Sequence, residues 1–228
     1  MDAKTKEIQY QALIETANQG GVSSLGLMTN QIWRDDPRRL AILLSRYKFV
    51  SKMLSGMNKV VEIGCADAFG TRLIQQEVSE VTVIDFDPVF INDVKSRMEN
   101  KWPLLPVEHD ILKNTVPNSP FQAAYSLDVI EHIEKKYEKI FLENIAKSLE
   151  KNGVLIVGTP SLNSQEYASE QSKIGHINCK SANQLKELMS HYFSNVFIFS
   201  MNDEVVHTGF YEMAHYYFAI CCGPKIEE

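Results

Sequence analysis

Runs of basic residues are absent from this chain. Its 23 lysines and arginines are scattered and outnumbered by 29 acidic residues, giving a net charge of −6 over 228 residues. Affinity for a phosphate backbone rests on clustered cations, so an extended nucleic-acid surface is not expected, although a local pocket for a phosphorylated ligand stays open. Cysteine is sparse too. Cys65, Cys179, Cys221 and Cys222 form no C-x-x-C pair, which points to buried free thiols in a reducing compartment and away from disulfides or a zinc site. The opening "MDAKTKEIQYQALIE" lacks the basic-then-apolar order of a secretory signal, and no stretch reaches membrane-spanning length. The expectation is a soluble, cytoplasmic protein without membrane insertion.

No repeat or low-complexity tract breaks the chain, and 44% of it is hydrophobic, enough for one sizeable core. From about residue 59, short apolar runs alternate with helical patterns. The strand candidates are 59–64, 81–85, 103–109, 121–127, 154–159, 195–201 and 215–222. Helix-like segments fall near 70–78, 88–99, 132–149 and 181–191. Nearly all-apolar strands alternating with helices predict a parallel α/β sheet covered on both faces. The last two strands are joined by "NDEVVHTGFYEMA", which has no helical period, so an antiparallel excursion is expected there. Ahead of the sheet, "DDPRRLAILLSRYKFVSKML" predicts a helix with Asp36 as N-cap and Pro37 in its first turn. Residues 1–36 are expected to cover the strand ends as helices and loops, with 37–228 as core of the same single domain.

The stretch "VVEIGCADAFGT" (60–71) predicts a strand, a tight turn and a helix start. Small residues in such a turn let a ligand approach the backbone, beside the amides of the helix N-terminus. The dinucleotide fingerprint is not met, because Ala66 stands where its second glycine belongs. Glu62, Asp85 and Asp110 place acids at three successive strand ends; together they suit a bound cation better than a pyrophosphate. Asp85 can accept from both hydroxyls of a ribose, and Asp110 from an adenine amine.

Further on, "SLDVIEHI" places Asp128, Glu131 and His132 where the fourth strand stops. One reading is a capping box, with Asp128 as N-cap and Glu131 reaching back. The other is a convergent donor set, since positions i, i+3 and i+4 share one side of a helix. His176, in the long segment after the fifth strand, can reach the same point, and carboxylate with imidazole suits Mn²⁺, Mg²⁺ or Fe²⁺.

In order and spacing, "VVEIGCADAFGT", "VTVIDFD", "EHD", "YSLDVIEHI" and "LEKNGVLIVGTPS" resemble class I S-adenosylmethionine-dependent methyltransferases over about residues 40–222. The resemblance implies a Rossmann-like sheet of seven strands, order 3-2-1-4-5-7-6, with strand 7 antiparallel. It also implies S-adenosylmethionine as cofactor: Glu62 orienting the first turn, Gly64 lining the methionine moiety, Asp85 on the ribose and Asp110 on the adenine. Ala66, Phe86, Ile111 and Leu127 line the same site. Ala66 and Ala68 stand where many members have glycine. The pattern at Asp128, Glu131, His132 and His176 is similar to that of quinone-biosynthetic and small-RNA terminal O-methyltransferases, which use a divalent ion; there Asp128 would be a fourth ligand or a cap.

"GCADAFGT", "GTPSLNSQEYAS…GHINCKS" and "MNDEVVHTGFYEMAHYYFAICC" resemble methyltransferases encoded with bacterial surface-polysaccharide genes. This implies a small-molecule acceptor, a nucleotide-linked or phosphate-linked glycan, with a homodimer left open. His132, His176, His207 and His215 are the candidate catalytic residues, the last two in the excursion near the acceptor. Tyr211 joins them in a polar pocket or packs, and Trp33 and Arg34 either close that pocket or pack. Quinol and small-RNA O-methylation are the competing functions, as is a nucleotide-binding module without turnover.

Overall fold

The computed structural model describes residues 3–225; the outermost residues of the domain expected over 1–228 lie outside that range. Chain order begins with three helices, α1 (Gln11–Gly20), α2 (Leu27–Asp35) and α3 (Arg38–Met53). The sheet segment follows as β1 (Lys59–Ile63), α4 (Thr71–Ile74), β2 (Glu80–Asp85), α5 (Pro88–Ser96), β3 (Leu105–Glu108) and β4 (Phe121–Leu127). After β4 come α6 (Glu138–Lys147), β5 (Leu149–Pro160), α7 (Glu170–Gly175), α8 (Ala182–Tyr192), β6 (Phe193–Asn202), β7 (Val205–His207) and β8 (Tyr216–Pro224). Asp36 still accepts from the Arg38 amide, at 3.3 Å, although the regular helix begins at Arg38.

The sheet has eight strands in the order β3-β2-β1-β4-β5-β8-β6-β7. β1 to β5 pair in parallel, and β8 runs antiparallel between β5 and β6. This is the predicted Rossmann-like order. The eighth strand is the short β7, which folds back on β6 as a hairpin inside the non-helical excursion.

Successive residues of β1 point to opposite faces, and both faces are covered. Val60 packs with Tyr47 and Val50 of α3, Ile74 of α4 and Ile91 of α5. Val61 packs with Phe141 and Ile145 of α6 and with Leu185 and Met189 of α8. Each such buried aliphatic side chain contributes about 1.5–3 kcal/mol. The helix after β4 is shorter than the expected 132–149. Residues 130–132 and 135–137 form separate 3-10 turns, the α-helix starts only at Glu138, and "LEKNG" belongs to β5. The helix after β1 shrinks to the four residues of α4.

N-terminal to α3, α1 carries no buried residue, whereas 23–29 is tied down. Thr29 donates from its amide and hydroxyl to the two oxygens of Asp67, at 2.6 and 3.2 Å, and Ser23 donates to Glu99 at 2.7 Å. Among the described residues no helix is long and apolar enough to cross a membrane.

Candidate active site

The turn after β1 starts at Gly64, whose φ of 73° lies in the left-handed region that glycine enters without a Cβ penalty. The amides of Gly64 and Cys65 both donate to the Ile84 carbonyl, at 2.9 and 3.0 Å, which binds the turn to the end of β2. Ala66 and Ala68 also have positive φ, 44° and 49°. Alanine there carries a steric cost of roughly 1–2 kcal/mol, and the surrounding bonds hold it. Asp85 Oδ2 accepts from the Ala66 amide and Asp85 Oδ1 from the Asp87 amide, both at 3.0 Å. Burial raises the Asp85 carboxyl above its ordinary value.

A cavity of about 570 Å³ opens along the carboxyl ends of the strands. Of the expected cofactor residues, Gly64, Ala66, Asp85, Phe86, Asp110, Ile111 and Leu127 line it. Glu62 does not. Its carboxylate, only 1% exposed, accepts from the hydroxyls of Tyr47 (2.7 Å), Tyr125 (2.8 Å) and Thr71. Of these three partners, Tyr47 lines the cavity. Burial, only partly offset by these bonds, raises the Glu62 pKa to about 7. Nor do Glu62, Asp85 and Asp110 make a cation site: among the described residues, the one donor cluster of three or more such groups lies elsewhere.

That cluster is Glu131, His132 and His176, whose donor atoms all lie within 4.8 Å of one another. Three local arrangements create it. First, the 3-10 turn at Ile130–His132 buries Glu131 completely, with Oε2 accepting from Thr159 Oγ1 at 3.1 Å and Oε1 left without a partner. Burial and the nearby Asp128 charge raise its pKa to about 8. Second, each imidazole has a carbonyl-type oxygen on Nδ1: Gly175 O for His132 and Gln165 Oε1 for His176, both at 2.8 Å. Those bonds fix the Nδ1–H tautomers and leave Nε2 as the free lone pair, the usual orientation of a ligating histidine. Burial, then the neighbouring His132, lowers the His176 pKa below its ordinary value. Third, Asn178 ties the two segments together. Its amide donates to Glu131 O at 2.9 Å, and its Nδ2 to Ile133 O at 2.8 Å and Glu138 Oε1 at 2.6 Å. The buried Lys180–Glu138 pair completes the clamp.

Asp128 stands apart. Its φ of 56° is incompatible with an N-cap, so the capping-box reading fails. Both its oxygens accept from Arg46 Nη1 of α3, at 2.8 and 2.7 Å, and Asp128 is not in the donor cluster. Asp128 and His132 nonetheless line the same cavity, so the donor cluster adjoins it.

The C-terminal histidines are occupied in the β6–β7 hairpin. His207 Nε2 donates to Asn202 Oδ1 at 2.8 Å while its Nδ1 accepts from the Gly209 amide at 2.9 Å. His215 Nε2 accepts from the Asp203 amide at 3.1 Å, and burial with the Arg46 charge lowers its pKa. Neither lines the cavity; both are held by hairpin residues. Tyr211 packs edge-on against Tyr217 and accepts that hydroxyl on its carbonyl, at 2.8 Å. Trp33 is 53% exposed, Arg34 is exposed as well, and neither lines the cavity.

The residues missed from sequence are Arg46, Asp67, Thr159 and Asn178. Each works through a partner distant in sequence, and only Asp67, inside the turn motif, lay where a signal was visible.

Comparison with known proteins agrees with this geometry. A family model for a methyltransferase domain matches residues 32–192. The chain is 27% identical over 103 residues to Rv3030 of Mycobacterium tuberculosis, described as a probable S-adenosylmethionine-dependent methyltransferase; the match covers 45% of this chain and 35% of Rv3030. The chain thus spans about a third of the length of the curated relatives it matches. Among solved structures, the N-methyltransferase NodS of Bradyrhizobium japonicum WM9, bound to S-adenosyl-L-homocysteine, superposes with a TM-score of 0.59 at 21% identity, covering 85% of this chain and 92% of NodS. The methyltransferase domain of bacterial CtHen1 superposes with a TM-score of 0.64 at 14% identity, covering 79% of this chain and 99% of that one. With the fold, the cavity and the family match in agreement, the chain belongs to the methyltransferase domain family.

Proposed function

We propose that this chain transfers the methyl group of S-adenosylmethionine to an oxygen of a small hydrophilic acceptor. The acceptor class is a sugar or phosphate-linked group destined for a surface polysaccharide, and a divalent cation assists. One observation carries the oxygen and cation reading: a fully buried carboxylate oxygen, Glu131 Oε1, has no partner while two imidazoles with fixed Nδ1 tautomers stand beside it. An orphaned buried carboxylate oxygen is costly, and a cation is the partner that this donor chemistry suits. Glu131, His132 and His176 would hold it. When bound, such an ion supplies Lewis acidity that lowers the pKa of an acceptor hydroxyl.

The chain's own residues do the positioning. Gly64, Asp85, Asp110 and Leu127 fix the cofactor along the strand ends, and segment 23–29 covers the turn through Asp67. His132, on the wall of the same cavity, sets the donor cluster beside the methyl side. The acceptor oxygen attacks the methyl carbon in line, the carbon–sulfur bond breaks, the sulfur keeps the electron pair, and the proton of a hydroxyl acceptor is released to water. Alignment of these three atoms is the main contribution the protein can make. A net charge of −6 disfavours a small-RNA acceptor. The test is transfer of labelled methyl from S-adenosylmethionine to a panel of nucleotide-linked sugars, phosphoryl compounds, a catechol and a small RNA. Label on a sugar or phosphoryl oxygen is expected; label confined to the catechol or the RNA would move the function to quinol or RNA methylation.

A further inference from the structure

Asp128 and Glu131 are three residues apart and have opposite surroundings. Glu131 is buried with an oxygen free. Asp128 is paired, because Arg46 Nη1 donates to both of its oxygens. Arg46 is itself fixed: its guanidinium carbon lies 3.8 Å from the Tyr216 ring centroid, its side chain is 18% exposed, and its Nε is buried without a partner. The left-handed backbone at Asp128 and the 3-10 turn after it remove the helical geometry that would have put both carboxylates on one side.

For Asp128 to join a cation it would have to bring that ion beside the largely buried Arg46 guanidinium or leave the guanidinium unpaired, and both are unfavourable. We propose that Arg46 is a positioning residue that withholds Asp128 from the cation, so that Glu131, His132 and His176 are the complete protein donor set. This inference rests on the cation reading of the proposed function. It yields a site of one carboxylate and two imidazoles, with a neutral Arg46–Asp128 pair beside it and coordination positions left for the acceptor.

The test is calorimetric titration of Mn²⁺ into the full chain, with electron paramagnetic resonance of the bound ion. Arg46→Met frees Asp128, so the dissociation constant should fall by about tenfold, the scale of a coordination-shell change, and the resonance should change. Arg46→Lys keeps the charge but cannot grip two oxygens as a fork; a smaller fall, about threefold, is expected. The double variant Arg46→Met/Asp128→Asn removes the pair as a neutral unit and should return to within about threefold of the wild type, with the wild-type spectrum. A cooperative thermal unfolding transition near that of the wild type would show that each variant is folded. A double variant that loses Mn²⁺ affinity by about tenfold or more would make Asp128 a ligand and overturn the inference alone. A wild-type chain that takes up no Mn²⁺ would end the cation reading together with it.

Discussion

The Thr159 hydroxyl donates to Glu131 Oε2 across 3.1 Å, and the other Glu131 oxygen, fully buried, has no partner. Thr159 belongs to β5 and Glu131 to the turn after β4. A bond between neighbouring strand ends therefore holds a carboxylate in place at a cost to stability. Glu131→Gln removes that buried charge. At pH 9, above the Glu131 pKa of about 8, this variant is expected to melt higher than the wild type and to take up no Mn²⁺. Scanning calorimetry with metal titration checks both; a lower melting temperature with intact uptake would make Glu131 a purely structural residue.

Cation uptake should depend on pH with a defined sign. Below about 8 the ion-free Glu131 carries a proton that a cation must displace. His176, lowered by burial, is already neutral at pH 7. Apparent Mn²⁺ affinity should rise by about fivefold from pH 7 to 8 and flatten above it. Titrations in buffers of different ionisation enthalpy would report the released proton; uptake independent of pH, without proton release, would contradict this.

Glu62 gives a linkage prediction on the cofactor side. Its folded pKa of about 7 lies above the ordinary 4.5, so its contribution to stability is full below pH 4.5 and is lost as pH rises through 7. Glu62→Gln has no such dependence. Its melting temperature relative to the wild type should climb between pH 4.5 and 7, as thermal scans across that range would show. A constant difference would mean that the carboxylate stays charged in the folded chain throughout.

Gly64 tests the turn. A Cβ there would lie 2.5 Å from Val129 Cγ2, on a backbone with φ of 73°. Gly64→Ala should cost about 1–3 kcal/mol of stability and weaken S-adenosylhomocysteine binding in the same variant. Val129→Ala added to it should recover only part, because room is restored but the backbone strain is not. Full recovery would assign the whole effect to the Val129 contact.

The parallel sheet was legible because a buried parallel strand is a continuous apolar run; its strand order followed from the resemblance carried by the motifs at the strand ends. Seven of the eight expected cofactor residues line the cavity because they sit at strand ends, which the sequence pattern locates well. That Glu62 lies behind the cavity wall was not legible, because its partners, Tyr47, Thr71 and Tyr125, come from three different elements. The Asp128 reading failed for a similar reason: Asp-x-x-Glu fits a helix start, and nothing local announces a left-handed residue gripped by Arg46. His207 and His215 were read as acceptor-side residues from their place in the excursion between the last two strands; their hydrogen-bond partners Asn202, Asp203 and Gly209 were not legible, because the hairpin there has no strong turn signature.

Methyl transfer before and after removal of divalent ions reaches the central claim most directly. Once an acceptor is found, chain treated with chelator and then freed of it should transfer no labelled methyl to the acceptor oxygen. Mn²⁺ should restore transfer to the wild type and not to Glu131→Ala, while both proteins still bind S-adenosylhomocysteine. Undiminished transfer by the chelated wild type would contradict the account and return Glu131, His132 and His176 to direct acid–base or structural work.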